Sequence, residues 1–416
     1  MCWPVPPPWR ADMAMTRAED LSTGRRVGAL AFLLVGYFCY AWAWNTVDIL
    51  RPYIRDAAGL TLQQSGLLYT VQAAGGLVGA IMMGQVADRI GRRNALMLAL
   101  AGVGSLLLLQ MAVTAPLPLL ASRAGLGFFM GAMYPIVVGL YAGMFAPRTR
   151  GLIAGIVMGT YNVAVASLTF IAGQVIAAGM DWRLLYWLGV VPLAALQVTV
   201  WAIPDDRRLL AWGAQPGAQT MARKLPIAEM FLPAVRRKTL LLTAMTGLNF
   251  FAYQAFTGWA TTYLKDVRAL PADLIGQVLG VQFIAAALGG FGWGMLSDRF
   301  GRRAAAWGFV AAAALIPVYL FVPLSPLMFV AVGFAYGMML SASAVWGPWL
   351  SELYPPHLRS TAASIFNWGR IVSMLAPIIT GALVPALGMA PVMLMGSGAF
   401  LLAAAIWLSL PETMTR

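Results

Sequence analysis

Gly84-Gln85-Val86-Ala87-Asp88-Arg89-Ile90-Gly91-Arg92-Arg93 lies between two apolar runs and sets four charges into its last six residues. It returns once, as Gly294-Met295-Leu296-Ser297-Asp298-Arg299-Phe300-Gly301-Arg302-Arg303, 210 positions further along a chain of 416. A repeat at half the chain length indicates two copies of one unit. The offset extends beyond the motif. Tyr53 matches Tyr263, Arg55 matches Lys265, Asp56 matches Asp266, Gly66 matches Gly276, Val71-Gln72 matches Val281-Gln282, and Pro116 matches Pro326. At an offset of 209, Pro147 and Arg150 match Pro356 and Arg359.

Hydrophobic residues make up 60% of the chain and charged residues 10%, with a mean hydropathy of +0.76. That leaves too little polar surface for a water-soluble fold. A bilayer core of ~30 Å needs roughly 20 apolar residues per helix. Twelve such spans can be read, at 28–54, 64–86, 94–113, 118–143, 151–178, 183–203, 238–264, 273–297, 303–322, 326–352, 360–385 and 389–410. The expected fold is an all-α membrane protein: two pseudo-symmetric six-helix bundles over 28–203 and 238–410, preceded by a disordered leader over 1–27. Residues 204–237 form a Pro- and Lys/Arg-rich linker between them, and 411–416 form a short tail.

The net charge of +13 is not a nucleic-acid footprint. The basic residues fall in alternate loops, which is the positive-inside pattern and places both termini in the cytoplasm of a cell (inner) membrane. The two cysteines, Cys2 and Cys39, offer no disulfide framework. The first ten residues lack a signal-peptide core and their prolines read as a disordered leader; Met13 and Met15 are alternative starts.

The doubled G-x-x-x-D-R-x-G-R-R loop resembles the signature of the major facilitator superfamily. Further stretches agree: Pro147-Arg148-Thr149-Arg150-Gly151, Pro204-Asp205-Asp206-Arg207-Arg208, Glu352-Leu353-Tyr354-Pro355-Pro356-His357-Leu358-Arg359, and Leu410-Pro411-Glu412-Thr413. Together they are similar to the branch holding sugar porters and the aromatic-acid, sialate and other metabolite/proton symporters. The resemblance implies a twelve-helix secondary transporter with a path between two bundles and no cofactor or metal. It departs from the branch at two places. Gly143 stands where relatives carry an acid after helix 4, and Ala43 stands nine residues before Pro52, where an acid is common.

Of fifteen acids, only Asp48 lies well inside a span. An ionisable group in hydrocarbon is a functional candidate, here for proton coupling, or it is a fixed partner of Arg51 one turn on. Arg370 falls ~15 Å into span 11 at ~1.5 Å per residue, near the midplane. Its guanidinium cannot discharge and needs an anion, either Asp48 or an anionic substrate. Arg123, followed by Gly125, Gly127 and Gly131, resembles the superfamily's helix 4 motif, whose arginine is associated with proton transfer; snorkelling to the interface is the alternative. Gln72, Gln282, Asn249, Tyr253 and Gln254, with Tyr161, Asn162 and Asn367, are candidates for substrate contact or interhelical hydrogen bonds. Asp88, Arg89, Gly91, Arg92 and Arg93, Asp298, Arg299, Gly301, Arg302 and Arg303, and Glu352 with Arg359 form the expected gating set, a pair of latches of which the Asp88 one is expected to be the stronger.

The chain lacks the paired acids, metal-ligand cluster or nucleophile with base that a membrane enzyme needs. A non-transporting receptor is a further possibility. The expected activity is secondary transport of a small organic anion by a monomer in the bilayer, with protons as the coupling ion. The alternatives are a drug/proton antiporter, which a proline-free span 5 argues against, and a sugar porter, which a midplane arginine argues against.

Overall fold

A computed structural model of the chain describes residues 16–207, 209–210, 212, 228–355, 358, 362 and 365–414. Twelve long helical segments follow one another: α1 (Thr23–Ile49), α2 (Leu62–Ile90), α3 (Arg92–Leu109), α4 (Pro116–Gly131 and Met133–Met144), α5 (Pro147–Ala177) and α6 (Trp182–Gly189, then Val190–Ala202). The second set is α7 (Pro233–Asp266), α8 (Ala272–Phe300), α9 (Arg302–Ala305, then Ala306–Phe321), α10 (Pro326–Leu340 through Trp346–Glu352), α11 (Ile365–Leu387) and α12 (Met389–Ser409).

Local chemistry sets the starts and stops. Prolines occupy the first turn of α4, α5, α7 and α10, where a missing N–H leaves no helical bond unmade. Thr61 and Gln64 form a reciprocal capping box on α2. Helices α2 and α8 end at Gly91 and Gly301, with φ of 88° and 97°, so both copies of the repeat turn through a backbone shape that suits glycine.

Boundaries differ from expectation where the chain bends. Span 1 was expected to run unbroken to residue 54, but α1 stops at Ile49 and a short helix, Arg51–Ala58, restarts with Pro52 in its first turn. Part of the expected leader is built in: Thr16–Arg17 pairs in parallel with Leu209–Leu210 of the linker, and α1 starts at Thr23.

Eleven of the described helices are long and apolar enough to cross a bilayer. The twelfth, α7, has the length, 34 residues, but its buried Thr239, Thr246, Asn249, Gln254, Thr257, Thr261 and Thr262 lower its hydropathy. A helix this polar spans hydrocarbon only where its polar face is turned to protein or to an aqueous path.

The two bundles repeat one packing solution. A Cβ added at Gly127 of α4 would lie 1.9 Å from the Gln72 carbonyl of α2, and one added at Gly337 of α10 would lie 2.0 Å from the Gln282 carbonyl of α8. These glycines let the helix backbones touch. Between bundles the same device recurs at one face only. Gly66 of α2 faces the Pro377 carbonyl of α11, and Gly276 of α8 faces the Thr169 carbonyl and Gly173 of α5. At the other end of α2 and α8, beside the doubled loops, Gly84, Gly292 and Gly294 have no neighbour within 4 Å of an added Cβ. The bundles are closed together at the face remote from the doubled loops and parted at the basic face.

Candidate substrate path and its ionic clusters

Arg370 of α11 is exposed toward the space between the bundles, and its surroundings are aromatic. Its guanidinium lies 5.8 Å from the Phe250 ring of α7. From the opposite bundle Tyr40, Tyr161 and Tyr37 face it, with the Tyr40 hydroxyl as a hydrogen-bond partner. The tyrosines form one cluster, with ring centroids 5.1 Å apart for Tyr37–Tyr40, 6.3 Å for Tyr37–Tyr161 and 6.2 Å for Tyr40–Tyr161. Asn45 donates to the Tyr161 hydroxyl at 2.9 Å. Among the described residues no carboxylate faces Arg370.

Asp48 is accordingly not the partner of Arg370. Its Oδ1 accepts from Arg51, three residues on across the break at Leu50, and from Gln254 Nε2 of α7 at 3.0 Å. Arg51 is fully buried and lies 4.3 Å over the Trp259 ring, whose Nε1 donates to Thr380 at 2.8 Å. The pair is a buried one. It holds because opposite charge, an aromatic face and a glutamine converge, since stripping either ion of its partner costs several kcal/mol.

Arg123 of α4 is equally buried and does not snorkel. It donates to Thr46 at 2.9 Å, to Gln72 Oε1 at 3.2 Å and to the Tyr186 hydroxyl at 2.7 Å. Gln72 in turn donates to the Trp44 carbonyl at 2.9 Å. Gln72 and Gln254 thus serve the two ionic groups, Arg123 and Asp48. Gln282 and the Asn249 Oδ1 are buried with no hydrogen-bond partner among the described residues. Asn162 donates to the Met158 carbonyl within its own helix, and Tyr253 is half-buried on α7. The side chain of Asn367 lies outside the described ones.

The doubled loops are anchored by acids of their own half, the linker and the tail. Arg302 pairs with Asp298 at 2.7 Å and Glu352 at 2.9 Å, and the Glu412 carboxylate caps α9 by accepting from the Arg302 and Arg303 amides, both at 2.9 Å. In the first bundle Gly143 leaves the position equivalent to Glu352 without an acid. The linker compensates: Asp206 accepts from the Arg92 and Arg93 amides at 2.9 and 3.1 Å, Asp205 pairs with Arg93 at 3.2 Å, and Arg92 donates to the Gly139 carbonyl at 3.0 Å. Asp88, Arg92, Gly143 and Asp206 line one cavity. Arg89 is exposed, and Arg299 lies 5.4 Å over Phe300. Arg359 lies outside the described residues.

Reading residues one at a time missed Tyr37, Tyr40 and Tyr134 as neighbours of the Arg370 site. Tyr37, Tyr40 and Trp44 share one face of α1 at helical spacing, a pattern that also describes ordinary core, so its signal was weak.

Two repeated bundles that meet at one face and part at the other, with a polar site between them, define a membrane carrier and not an enzyme. A family model described as Major Facilitator Superfamily matches residues 33–370 and 269–415, and the chain belongs to that superfamily. It is 26% identical to a probable 4-methylmuconolactone transporter of Cupriavidus pinatubonensis, over 85% of this chain and 84% of the relative. It is 24% identical to a cis,cis-muconate transport protein of Acinetobacter baylyi, over 79% of this chain and 80% of the relative. Its fold is also that of a solved bacterial homolog of the human lysosomal transporter Spinster, inward-facing and unoccupied, with a TM-score of 0.77 at 17% identity over 94% of this chain and 97% of that one.

Proposed function

We propose that the protein carries a small organic anion across the inner membrane by alternating access, with proton symport supplying the driving force. The basic face is cytoplasmic in this reading, both termini lie there, and the conformation described is open to the cytoplasm. The observation that carries the reading is Arg370. It is a permanently charged group in the first half of α11, exposed between the bundles, and neutral rings and hydroxyls surround it. A cation kept without a carboxylate partner suits an incoming anion and disfavours a cationic drug or a neutral sugar. Of the polar candidates, Tyr161 is the one beside Arg370 by its place in the aromatic cluster, while Gln72 and Gln254 are committed to Arg123 and Asp48.

Asp48 is the proton site in this reading. Protonation neutralises it and weakens its hold on Arg51 and Gln254, which tie α1 to α7 on the outer side of the substrate site. Proton binding thereby biases the outer closure, which is what coupling requires of an element both ligands can influence.

The test is uptake into proteoliposomes under an imposed proton gradient. Uptake of a carboxylate substrate should rise when the outside is acid. Arg370→Ala should lower substrate binding at least a hundredfold, and Arg370→Lys should restore only part of it, because an ammonium lacks the planar fork. Normal anion uptake by Arg370→Ala would falsify the reading.

A further inference from the structure

The first doubled loop takes its counter-charge from the linker, and the leader fastens the linker there. We propose that residues 16–21 are a strap on the first bundle: they keep Asp205 and Asp206 on Arg92 and Arg93, and their release loosens the first doubled loop while leaving the second in place. The leader thereby controls one of the two doubled loops, whatever the protein carries.

The second loop shows what the first one lacks. Glu412, just past α12, caps α9, and its neighbour Thr413 donates to Glu352, so an acid on α10 fixes both Arg302 and the tail. Asp205 and Asp206 hold the matching place just past α6, but Gly143 offers no carboxylate to fix them. Arg92 turns instead to the Gly139 carbonyl, where Arg302 keeps Asp298. Two arginines in the first turn of a helix oppose its positive end, so the start of α3 depends on an acid staying beside it.

The fastening comes from the start of the chain. Thr16 and Arg17 run parallel to Leu209 and Leu210, and Arg26, in the first turn of α1, lies 5.0 Å over the Trp212 ring. The Trp212 N–H donates to the Gly143 carbonyl at 3.0 Å. Ala18 and Leu21 are buried, and the short turn Ala18–Asp20 packs on the Met133–Met144 part of α4. The Ser22 side chain accepts from the Arg25 N–H at 3.2 Å and starts α1, which fixes the direction from which the leader arrives. So short a ladder does not persist alone. It holds because leader, linker and α4 meet at one place, and without the leader only Arg26 and Gly143 still hold Trp212. The linker then has to be ordered anew each time Asp206 returns to the Arg92 and Arg93 amides.

Amide hydrogen exchange of the protein in lipid nanodiscs reads the two doubled loops side by side, the second serving as the internal control. Deleting residues 2–21, which spares the Ser22 cap, should speed exchange at residues 92–95 roughly tenfold and leave residues 302–305 unchanged. Ala18→Asp sets a charge into the buried leader contact and should do the same in a chain of full length, so the test stands even where the shortened chain fails to insert. Asp206→Ala should match the deletion, and the two together should exceed neither alone, because the leader acts through that acid. Unchanged exchange at residues 92–95 in Ala18→Asp overturns the strap. Equal acceleration of both loops, or additive effects of the deletion and Asp206→Ala, means a general loosening of the fold and overturns it as well. None of these outcomes bears on Arg370, so the anion-carrier reading stands or falls separately.

Discussion

Arg55 and Asp266, 211 residues apart in the chain, meet at 2.5 Å across the closed face of the two bundles. Their repeat counterparts, Lys265 and Asp56, meet at 2.6 Å beside them. Lateral contacts, Arg55–Asp56 at 2.6 Å and Lys265–Asp266 at 3.6 Å, complete a quartet. The pseudo-twofold relation between the halves makes the two cross-bundle pairs equivalent, because the Arg55-Asp56 dipeptide recurs as Lys265-Asp266 at the repeat offset. The quartet bridges the two bundles at their closed face, and in the orientation proposed above it acts as an outer lock.

Partly exposed pairs of this kind contribute about 0.2–1 kcal/mol each, less at high salt. Neutralising both acids with Asp56→Asn and Asp266→Asn should raise the outward-open population about threefold. Ser65, buried near the start of α2, is a reporter position. Labelling of Ser65→Cys by an impermeant maleimide should accelerate by that factor in the double variant, and an unchanged rate rules out the lock.

Gly276 is the steric half of the same closure. A Cβ there would sit 2.6 Å from the Thr169 carbonyl and 2.9 Å from the Gly173 Cα, and neither is the end of a flexible side chain. Gly276→Val should hold the outer face open, giving substrate binding from outside with transport lost at least tenfold. Normal turnover in that variant means that α5 and α8 do not need to meet.

Asp48→Asn leaves Arg51 buried opposite a neutral amide, and losing one member of a buried pair costs about 3–5 kcal/mol. The variant should melt several degrees lower, lose proton-driven accumulation and keep substrate exchange. Gln254→Leu, which spares the ion pair, should shift the pH profile of uptake with little loss of thermal stability. Accumulation that persists in Asp48→Asn moves the proton site elsewhere.

Glu412 gives a pH dependence whose sign can be worked out. Burial pushes its carboxyl up, but the amides of Arg303, Met414, Arg302 and Thr413 outweigh that and hold it below the ordinary glutamate value. A carboxyl depressed in the folded state stabilises fully above its unfolded value of about 4.3 and loses that contribution as pH falls through the lower folded value. Glu412→Gln should therefore lower the melting temperature at pH 7 and narrow the gap to the unmodified protein below pH 4. A gap that stays constant through that range removes Glu412 from the account.

Much of the architecture was legible in the chain. Spans repeat at a length set by the bilayer, and the Asp88 and Asp298 loops repeat at half the chain, because helix formation and hydrocarbon burial are local demands on consecutive residues. Arg370 stood out for the same reason, as a charge in an apolar run. The quartet was half visible: the offset aligned Arg55 with Lys265 and Asp56 with Asp266, but only packing brings Arg55 to the acid 211 residues away.

By itself, then, the sequence determined the number of spans, the doubling of the bundle, the two loops and the presence of three arginines and one acid within hydrocarbon. Tertiary structure alone decided how those four divide. Asp48 goes to Arg51 and Gln254, Arg123 goes to Thr46, Gln72 and Tyr186, and Arg370 is left among tyrosines. Composition counts charges, but a buried charge is stabilised only by groups within hydrogen-bond reach, and helices packed across 100 to 200 residues of chain decide which groups those are. The doubled loop shows the same division: its copies are nearly identical in sequence, yet one is anchored by Glu352 and the other, facing Gly143, by Asp205 and Asp206 of the linker.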